Sequence, residues 1–475
     1  MGRSVKVAAF AALVALLVVF GKSLLEGVSP PLNSDSQPKQ VSRPPDPLTA
    51  NNAPANRALV PAAGIAAASG VAPSATAQAQ QVPLLPAQGQ QAALSPISKP
   101  LGQESNVSSA VRGVTDSEIR FGISAPFTGS AKELGQHMKQ GIEAGFNVAN
   151  AKGGVYGRQL RLVAADDGYE PTRTAATMKQ LYERDQVFGL VGNVGTPTAV
   201  VALPYALDRK LLFFGAFTGA GLLRNDPPDR YVFNYRASYA EETAAVVNYL
   251  VKVRRLLPEQ IAVFAQQDAY GDAGFAGVEK AIRSLRGGNA SPILRLNYRR
   301  NTVDVEDAVA QLQQYNAQLQ QKKRFPIKAV IMVPTYRAAA KFIEKTRDLY
   351  PDMIYTSVSF VGSTALADEL MLLGKKYATG VIVTQVVPAV DGHSSLVLDY
   401  KSALARYFPG EAPDYVSLEG YVDATVLMAA LQRNGSQLDT ERLIGTLENL
   451  SDLDIGLGTA VIFSRSDHQG VHKVW

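Results

Sequence analysis

Side chains able to do acid, base, nucleophilic or metal chemistry are few in this chain and poorly spaced for it. The four histidines, His137, His393, His468 and His472, fall at no spacing that closes a metal site. There is no cysteine, which removes a thiol nucleophile, and no Gly-x-Ser-x-Gly elbow, phosphate loop or dinucleotide fingerprint. Asp166-Asp167 is the one tempting acidic pair. At the end of an apolar run and just ahead of Pro171 it could serve acid/base work, but helix capping and turn formation are the stronger account. The run Gly153-Gly154-Val155-Tyr156-Gly157-Arg158 has the composition of a phosphate cradle. It precedes a strand, however, whereas phosphate loops follow one, so turn chemistry explains its glycines. The pattern suits a chain that binds and does not convert: no catalytic residue, metal or cofactor is expected.

The elements that would position a binding site are legible after Val114, where β-branched runs alternate with stretches of helical period, the pattern of a parallel sheet covered by helices. Strands are expected at Ile119–Ser124, Leu160–Ala165, Val187–Val191 and Leu211–Gly215, with helices at Leu134–Ala151, Pro171–Arg184 and Ala199–Asp208 between them. The alternation restarts with a helix from Glu241, strands at Ile261–Ala265, Ala329–Val333 and Ser357–Gly362, and helices from Gly274 and up to Leu349. A strand at Val381–Val386, helices at Leu396–Arg406 and Tyr421–Gln432 and a terminal strand at Thr459–Phe463 complete the reading. The fold class is therefore α/β in two doubly wound units, and in such sheets ligands sit at the carboxyl ends of the strands.

The first quarter of the 475 residues is different in kind. Val7 to Phe20 is wholly apolar, follows Arg3 and Lys6, and gives way to Gly21-Lys22-Ser23. A basic start and short apolar core mark a targeting segment, shorter than the ~17–25 residues of a comfortable transmembrane helix. Gly21-Lys22-Ser23 is a poor cleavage site and Ala75-Thr76-Ala77 lies too far along, so residues 1–26 read either as a signal anchor, holding the membrane through residues 5–21, or as a cleaved signal. Residues 27–112 are rich in Pro, Ala, Gln and Ser with almost no aromatic residue, the composition of a disordered linker able to hold a domain away from a membrane. The absence of cysteine suits export and excludes lipid attachment through one. A net charge of +5 with no basic run interleaved with aromatics argues against nucleic acid as a partner.

Four segments taken in order, NAKGGVYGRQLRLVAADDGYEPTRT (Asn150–Thr174), GLVGNVGTPTAVVALP (Gly189–Pro204), QDAYGDAG (Gln267–Gly274) and FSRSDHQG (Phe463–Gly470), resemble the type I periplasmic binding proteins, typified by the leucine/isoleucine/valine-binding proteins of ABC importers. The likeness runs from Val114 to Trp475. It implies two doubly wound lobes joined by three crossovers and closing on a small solute, here residues 113–475, with one lobe at about 116–237 and 388–452 and the other at about 238–387 and 453–475. It also implies ligand-contacting positions. Thr196 resembles the hydroxyl residue that holds a ligand carboxylate, at the start of a helix whose free N–H groups favour an anion; the alternative is that Thr196 or Thr198 caps that helix. Ala216 and Thr218 match a backbone carbonyl and a hydroxyl offered to the ligand, with Phe217 in place of a smaller residue. Tyr270 and Tyr336 match cleft-facing tyrosines, against the alternative of ordinary core or surface tyrosines.

Where amino-acid binders commonly carry an acid for the ligand ammonium, this chain has Ser363 and Thr364, and an aromatic frequent near Glu133-Leu134 is missing. A buried ammonium without a countercharge is costly, and Asp368 or Glu369 on the following helix is the alternative source of one, so an amide, a urea-like solute or an aromatic acid is nearly as well suited as an amino acid. The expected function is extracytoplasmic solute capture for an ABC permease. A tethered sensory or interaction module of the cell envelope, built on the same fold, is the alternative that the long linker favours.

Overall fold

The computed structural model describes residues 111–288 and 292–475. The apolar segment and nearly all of the linker expected ahead of the α/β region lie outside the described residues.

The first sheet is built from β1 (Glu118–Ala125), β2 (Gln159–Asp166), β3 (Gly189–Val191), β4 (Leu212–Phe214) and β5 (Val232–Phe233), interleaved with α1 (Lys132–Ala151), α2 (Pro171–Lys179) and α3 (Thr196–Asp208). Its strand order is β2-β1-β3-β4-β5, all pairs parallel, with Glu118 opposite Gln159 and Ala125 opposite Asp166. After α4 (Tyr239–Asn248) the pattern repeats: β6 (Ile261–Gln266), α5 (Ala269–Leu285), β7 (Leu294–Tyr298), α6 (Glu306–Gln321), β8 (Ala329–Val333), α7 (Tyr336–Arg347), β9 (Ile354–Ser357), α8 (Ser363–Leu373), α9 (Lys375–Ala378) and β10 (Ile382–Val383). The second sheet runs β10-β9-β8-β6-β7, again parallel throughout, so both sheets have the same doubly wound order. The central strands β6 and β8 are buried at every position because helices cover both faces, which is why they read as unbroken apolar runs.

The remaining helices are α10 (Ser395–Tyr407), α11 (Tyr415–Asn434) and α12 (Thr440–Glu448). α10 and α11 return to pack on α1 of the first sheet. The α1–α11 seam is exceptionally close: a Cβ on Gly141 would stand 1.8 Å from the Ser417 carbonyl oxygen, and one on Gly420 2.5 Å from that of Met138. Three stretches of chain cross side by side between the sheets. Gly470 and Val471 N–H donate to Asn234 and Tyr235 carbonyls at 2.8 and 2.9 Å, Gln385 and Trp475 exchange backbone hydrogen bonds, and the Tyr235 hydroxyl donates to the Val386 carbonyl. Among the described residues no helix is long and apolar enough to cross a membrane.

The sequence reading departs from this fold in several places, with β5, α8, α9 and α12 having no counterpart in it. The segment expected as a strand at Ser357–Gly362 is the end of β9 followed by a single 3-10 turn, Ser359–Val361, and a left-handed Gly362. The expected terminal strand at Thr459–Phe463 is a lone bridge between Val461 and Leu453. β7 and α6 went unread because LRLNY is broken by Arg295 and Asn297, and the Gln-rich α6 buries only Ala308, Leu312, Asn316 and Leu319.

Candidate functional site

The loops that follow β3, β4, β5, β6 and β9 converge between the two sheets, at the carboxyl ends of the strands. After β3, Gly195 takes a φ of +108°, and a Cβ there would stand 2.4 Å from the Tyr169 ring, so the turn into α3 requires glycine. Thr196 then opens α3 fully buried, and its hydroxyl meets that of Thr218, from the loop after β4, at 2.7 Å. Neither threonine of this turn caps the helix: Gly195 is the N-cap residue, and Thr198 donates back to the Val194 and Gly195 carbonyls at 2.6 and 3.0 Å. The capping alternative is thereby set aside. The Ala216 carbonyl accepts the Thr218 N–H at 2.7 Å. The Tyr239 hydroxyl, at the start of α4, is buried beside the threonine pair. Burial raises its pKa, and Arg236 and the two threonines offset this only in part.

Packed around these hydroxyls is a cluster of five buried rings. Phe360, on the turn after β9, lies 4.6 Å from Tyr270, 5.1 Å from Phe217, 6.1 Å from Tyr169 and 6.4 Å from Tyr239, centroid to centroid. Tyr239 and Tyr270 are 5.4 Å apart. Tilted and edge-on pairs of this kind contribute roughly 0.5–1.5 kcal/mol each beyond the area they bury. The rings come from loops of both sheets. Tyr270 donates its hydroxyl to the Pro334 carbonyl at 3.3 Å, and Tyr169 accepts a hydrogen bond from Gln266 at 3.2 Å.

Behind the rings lies a buried charge network. Arg236 stacks over Phe217 at 5.0 Å, donates to Glu242 at 3.1 Å and to the Ser359 hydroxyl, and has Glu419 at 3.4 Å. Glu242 is fully engaged: it also accepts the Ser359 N–H at 2.7 Å, the Ser359 hydroxyl at 3.0 Å and the Thr384 hydroxyl at 2.6 Å. Burial lowers the Arg236 pKa, but Glu419 and Glu242 more than reverse this, so it stays charged. Burial pushes Glu419 up to about 7, with Arg236 opposing. One turn along α11, Asp423 is buried with neither carboxylate oxygen hydrogen-bonded, and burial followed by the Glu419 charge raises it well above the usual carboxylate range.

The other sequence-derived positions gather elsewhere. Tyr336 opens α7, buried, its hydroxyl pushed up to about 12 by burial. Ser363 accepts a hydrogen bond from Gln385 at 2.8 Å, and Thr364 is half-buried beside Asp414, which N-caps α11 and pairs with His137 at 3.2 Å. Among the described residues no ring contact or hydrogen bond ties these three to the Thr196–Thr218 pair. Asp166 and Asp167 form the turns expected of them, each accepting the N–H two residues on, at 3.0 and 2.9 Å. They do not cap α2, whose N-cap residue Glu170 makes no side-chain bond.

Sequence reasoning passed over Tyr169, Tyr239, Phe360 and Arg236. Phe360 stood inside a presumed strand, where a Phe reads as core. The signal for the other three was their place just beyond a strand end.

A family model described as periplasmic binding protein matches residues 118–475. A crystal structure of a possible leucine/isoleucine/valine-binding protein from Rhodopirellula baltica SH 1 is 42% identical, with a TM-score of 0.70, over 78% of this chain and 95% of that one. The Leu/Ile/Val-binding protein homolog 3 of Brucella melitensis biotype 1 is 25% identical, over 74% of this chain and 88% of that protein. A branched-chain amino acid ABC transporter structure from Thermus thermophilus, with bound valine, shares the fold at a TM-score of 0.62 and 16% identity, over 76% of this chain and 93% of that one.

Proposed function

Because the chain belongs to the periplasmic binding protein family, we propose that it captures a small solute between two lobes on the extracytoplasmic side of a membrane and delivers it to an ABC permease. The lobes are residues 116–237 with 388–452 and residues 238–387 with 453–475. The solute is an amino acid, an amide or urea-like molecule, or an aromatic acid, contacted by Thr196, Ala216 and Thr218 of the first lobe and by Tyr270, Tyr336, Ser363 and Thr364 of the second. The observation that carries this reading is the buried hydroxyl pair of Thr196 and Thr218, 2.7 Å apart at the start of α3, with the buried Tyr239 hydroxyl beside it. Three hydroxyls converging at a helix N-terminus suit a ligand carboxylate. Solute binding drives closure only through tighter binding to the closed form.

The test is a thermal-shift and calorimetric panel of amino acids, amides and aromatic acids on the full chain. A true ligand at 100 times its Kd stabilises the fold by about 2.7 kcal/mol, which is readily seen. Thr196→Val should cost about tenfold or more in affinity, the loss of one hydrogen bond to a charged group, and should also lower the unliganded melting temperature, because the buried Thr218 hydroxyl loses its partner. A flat response to every compound, together with native mass spectrometry showing no molecule carried through purification, would sink the proposal.

A further inference from the structure

We infer that the end of the second sheet opposite the cleft is a docking face for an anionic phospholipid bilayer, made of unpaired Lys and Arg side chains with exposed apolar side chains set among them.

The five strands of this sheet are parallel, so the stretches of chain leading into them share one end, away from the cleft at the carboxyl ends. Four of these stretches, 252–260 before β6, 322–328 before β8, 345–353 before β9 and 374–381 before β10, hold eleven Lys and Arg against three Asp and Glu. The whole chain has a net charge of only +5, so the rest of it is net acidic and the positive charge is concentrated here. The stretches lie side by side. The Lys328 N–H donates to the Gln260 carbonyl at 2.8 Å, the Ile354 N–H to the Lys328 carbonyl at 2.9 Å, and the Arg347 guanidinium to the Tyr377 carbonyl at 3.2 Å. Two of the three acids are already engaged, Glu259 by Arg286 and Asp348 by Lys376 at 2.7 Å. Lys252, Arg254 and Arg255 before β6, and Lys322, Lys323 and Arg324 before β8, are exposed and form no ion pair among the described residues.

Charge alone would be an ordinary solvated surface, but large apolar side chains stand in water on the same stretches. Val253 is 64% exposed and Phe325 67%, Leu257 and Leu349 are exposed with them, and the last turn of α8 adds Met371, Leu373 and Leu372, the last at 86%. Seven of the twelve large apolar side chains exposed among the described residues therefore lie at this one end. They are not gathered into a charge-free patch with a polar rim, as the centre of a protein–protein interface would be. Val253 sits between Lys252 and Arg254, Leu257 two residues after Arg255, Phe325 directly after Arg324 and Leu349 two residues after Arg347. Nucleic acid would satisfy the charges and leave the apolar side chains in water. An anionic bilayer offers both layers in the order needed, phosphates outermost and acyl chains beneath, within the ~5–10 Å that amphipathic surfaces reach. The long Lys and Arg stems let their charged heads stay among the phosphates while Phe325 and Leu372 enter below them. Docked in this way, the molecule rests on the far end of the second sheet, with the cleft held clear of the bilayer.

Because the chain has no cysteine, a single environment-sensitive fluorophore can be placed on it cleanly. The full chain carrying Phe325→Cys, labelled with nitrobenzoxadiazole, is titrated with vesicles of phosphatidylcholine alone and of phosphatidylcholine and phosphatidylglycerol in equal parts. The same label at Ile462→Cys, exposed and outside this sheet, is the control. The readout is local to the label, so attachment of the chain through residues 7–20 does not mimic docking at Phe325. The emission at position 325 should shift to the blue with the anionic vesicles and not with phosphatidylcholine, the shift should be lost in about 0.5 M NaCl, and the label at position 462 should not respond. In the same background, Lys322→Gln, Lys323→Gln and Arg324→Gln together should raise the lipid concentration at half-shift at least ~10-fold, and their exposure leaves the fold intact. No shift at position 325 with anionic vesicles, an equal shift with phosphatidylcholine alone, an equal shift at position 462, a salt-insensitive shift, or a triple variant as responsive as its parent would each overturn the inference. A shift with a short DNA duplex and none with vesicles would assign the face to a polyanion and overturn it as well. Solute capture stands or falls separately, on the ligand panel.

Discussion

Asp423 stands against Gly215 with both carboxylate oxygens buried and unpaired, and its only close charged company is Glu419 and Arg236. Its pKa in the fold lies above the unfolded value of about 3.9, so the folded chain keeps a proton that the unfolded chain has lost. The resulting stability is complete below that unfolded value and drains away as pH rises towards the folded pKa; Glu419, raised to about 7, acts in the same sense between its unfolded value and neutrality. Asp423→Asn removes the titration at constant volume. The melting temperature of the variant relative to the unaltered chain should therefore climb between pH 5 and pH 8, by at least ~2 °C, the response to roughly 1 kcal/mol in a chain of this size. A difference that stays level across that range would mean the acid is not held neutral. Nothing in the sequence foretold this group. An Asp one helical turn after a Glu reads as a solvated face, and only the return of α11 onto the first sheet buries it.

Where α1 meets α11, glycine does what a larger residue cannot. Gly141→Ala would drive its methyl group into the Ser417 carbonyl and should destabilise the fold by at least ~2 kcal/mol, read as a lower urea midpoint. Gly445→Ala in α12, with nothing within 4 Å of the added carbon, should instead be neutral or stabilising by ~0.5–1 kcal/mol. Equal losses for the two would contradict the close seam. The alternation of strands and helices was readable because β3, β6 and β8 are apolar on both faces and β1 on one, and the carboxyl-end loops carrying Thr196, Thr218 and Tyr270 followed from that order. What local pattern could not supply was pairing across distance: that the Thr196 and Thr218 hydroxyls touch, that Phe360 crosses to Phe217, and that Tyr336, Ser363 and Thr364 gather around Leu134 and Asp414 instead. The lone bridge at Val461 misled for the same reason, since β-branched residues need a neighbouring strand, and here one residue finds it.

Across the molecule, the two sheets are also fastened at the rim. Asn301, with φ at +59°, donates to the Gly168 and Tyr169 carbonyls and to Glu170 at 2.6 Å, and accepts from Ser130 at 3.1 Å, while Arg300 pairs with Glu170 at 2.9 Å. This clasp is partly exposed, so its worth is modest, roughly 1 kcal/mol. Asn301→Gly keeps the backbone conformation and removes only the side-chain bonds. It should raise the radius of gyration seen by small-angle scattering and weaken solute binding by about fivefold, as expected for ~1 kcal/mol of lost closure; an unchanged scattering profile would show that the clasp does not hold the lobes together. The seam between α1 and α11 has a further consequence in time. As the chain is synthesised, α1 appears first, the whole second sheet follows, and only then does α11 emerge to cover it. At ~5–20 residues per second that interval is on the order of ten to fifty seconds. For that time the glycine-notched face of α1 lacks its helix partner, so the first sheet completes its packing only after the second sheet and α11 have been made.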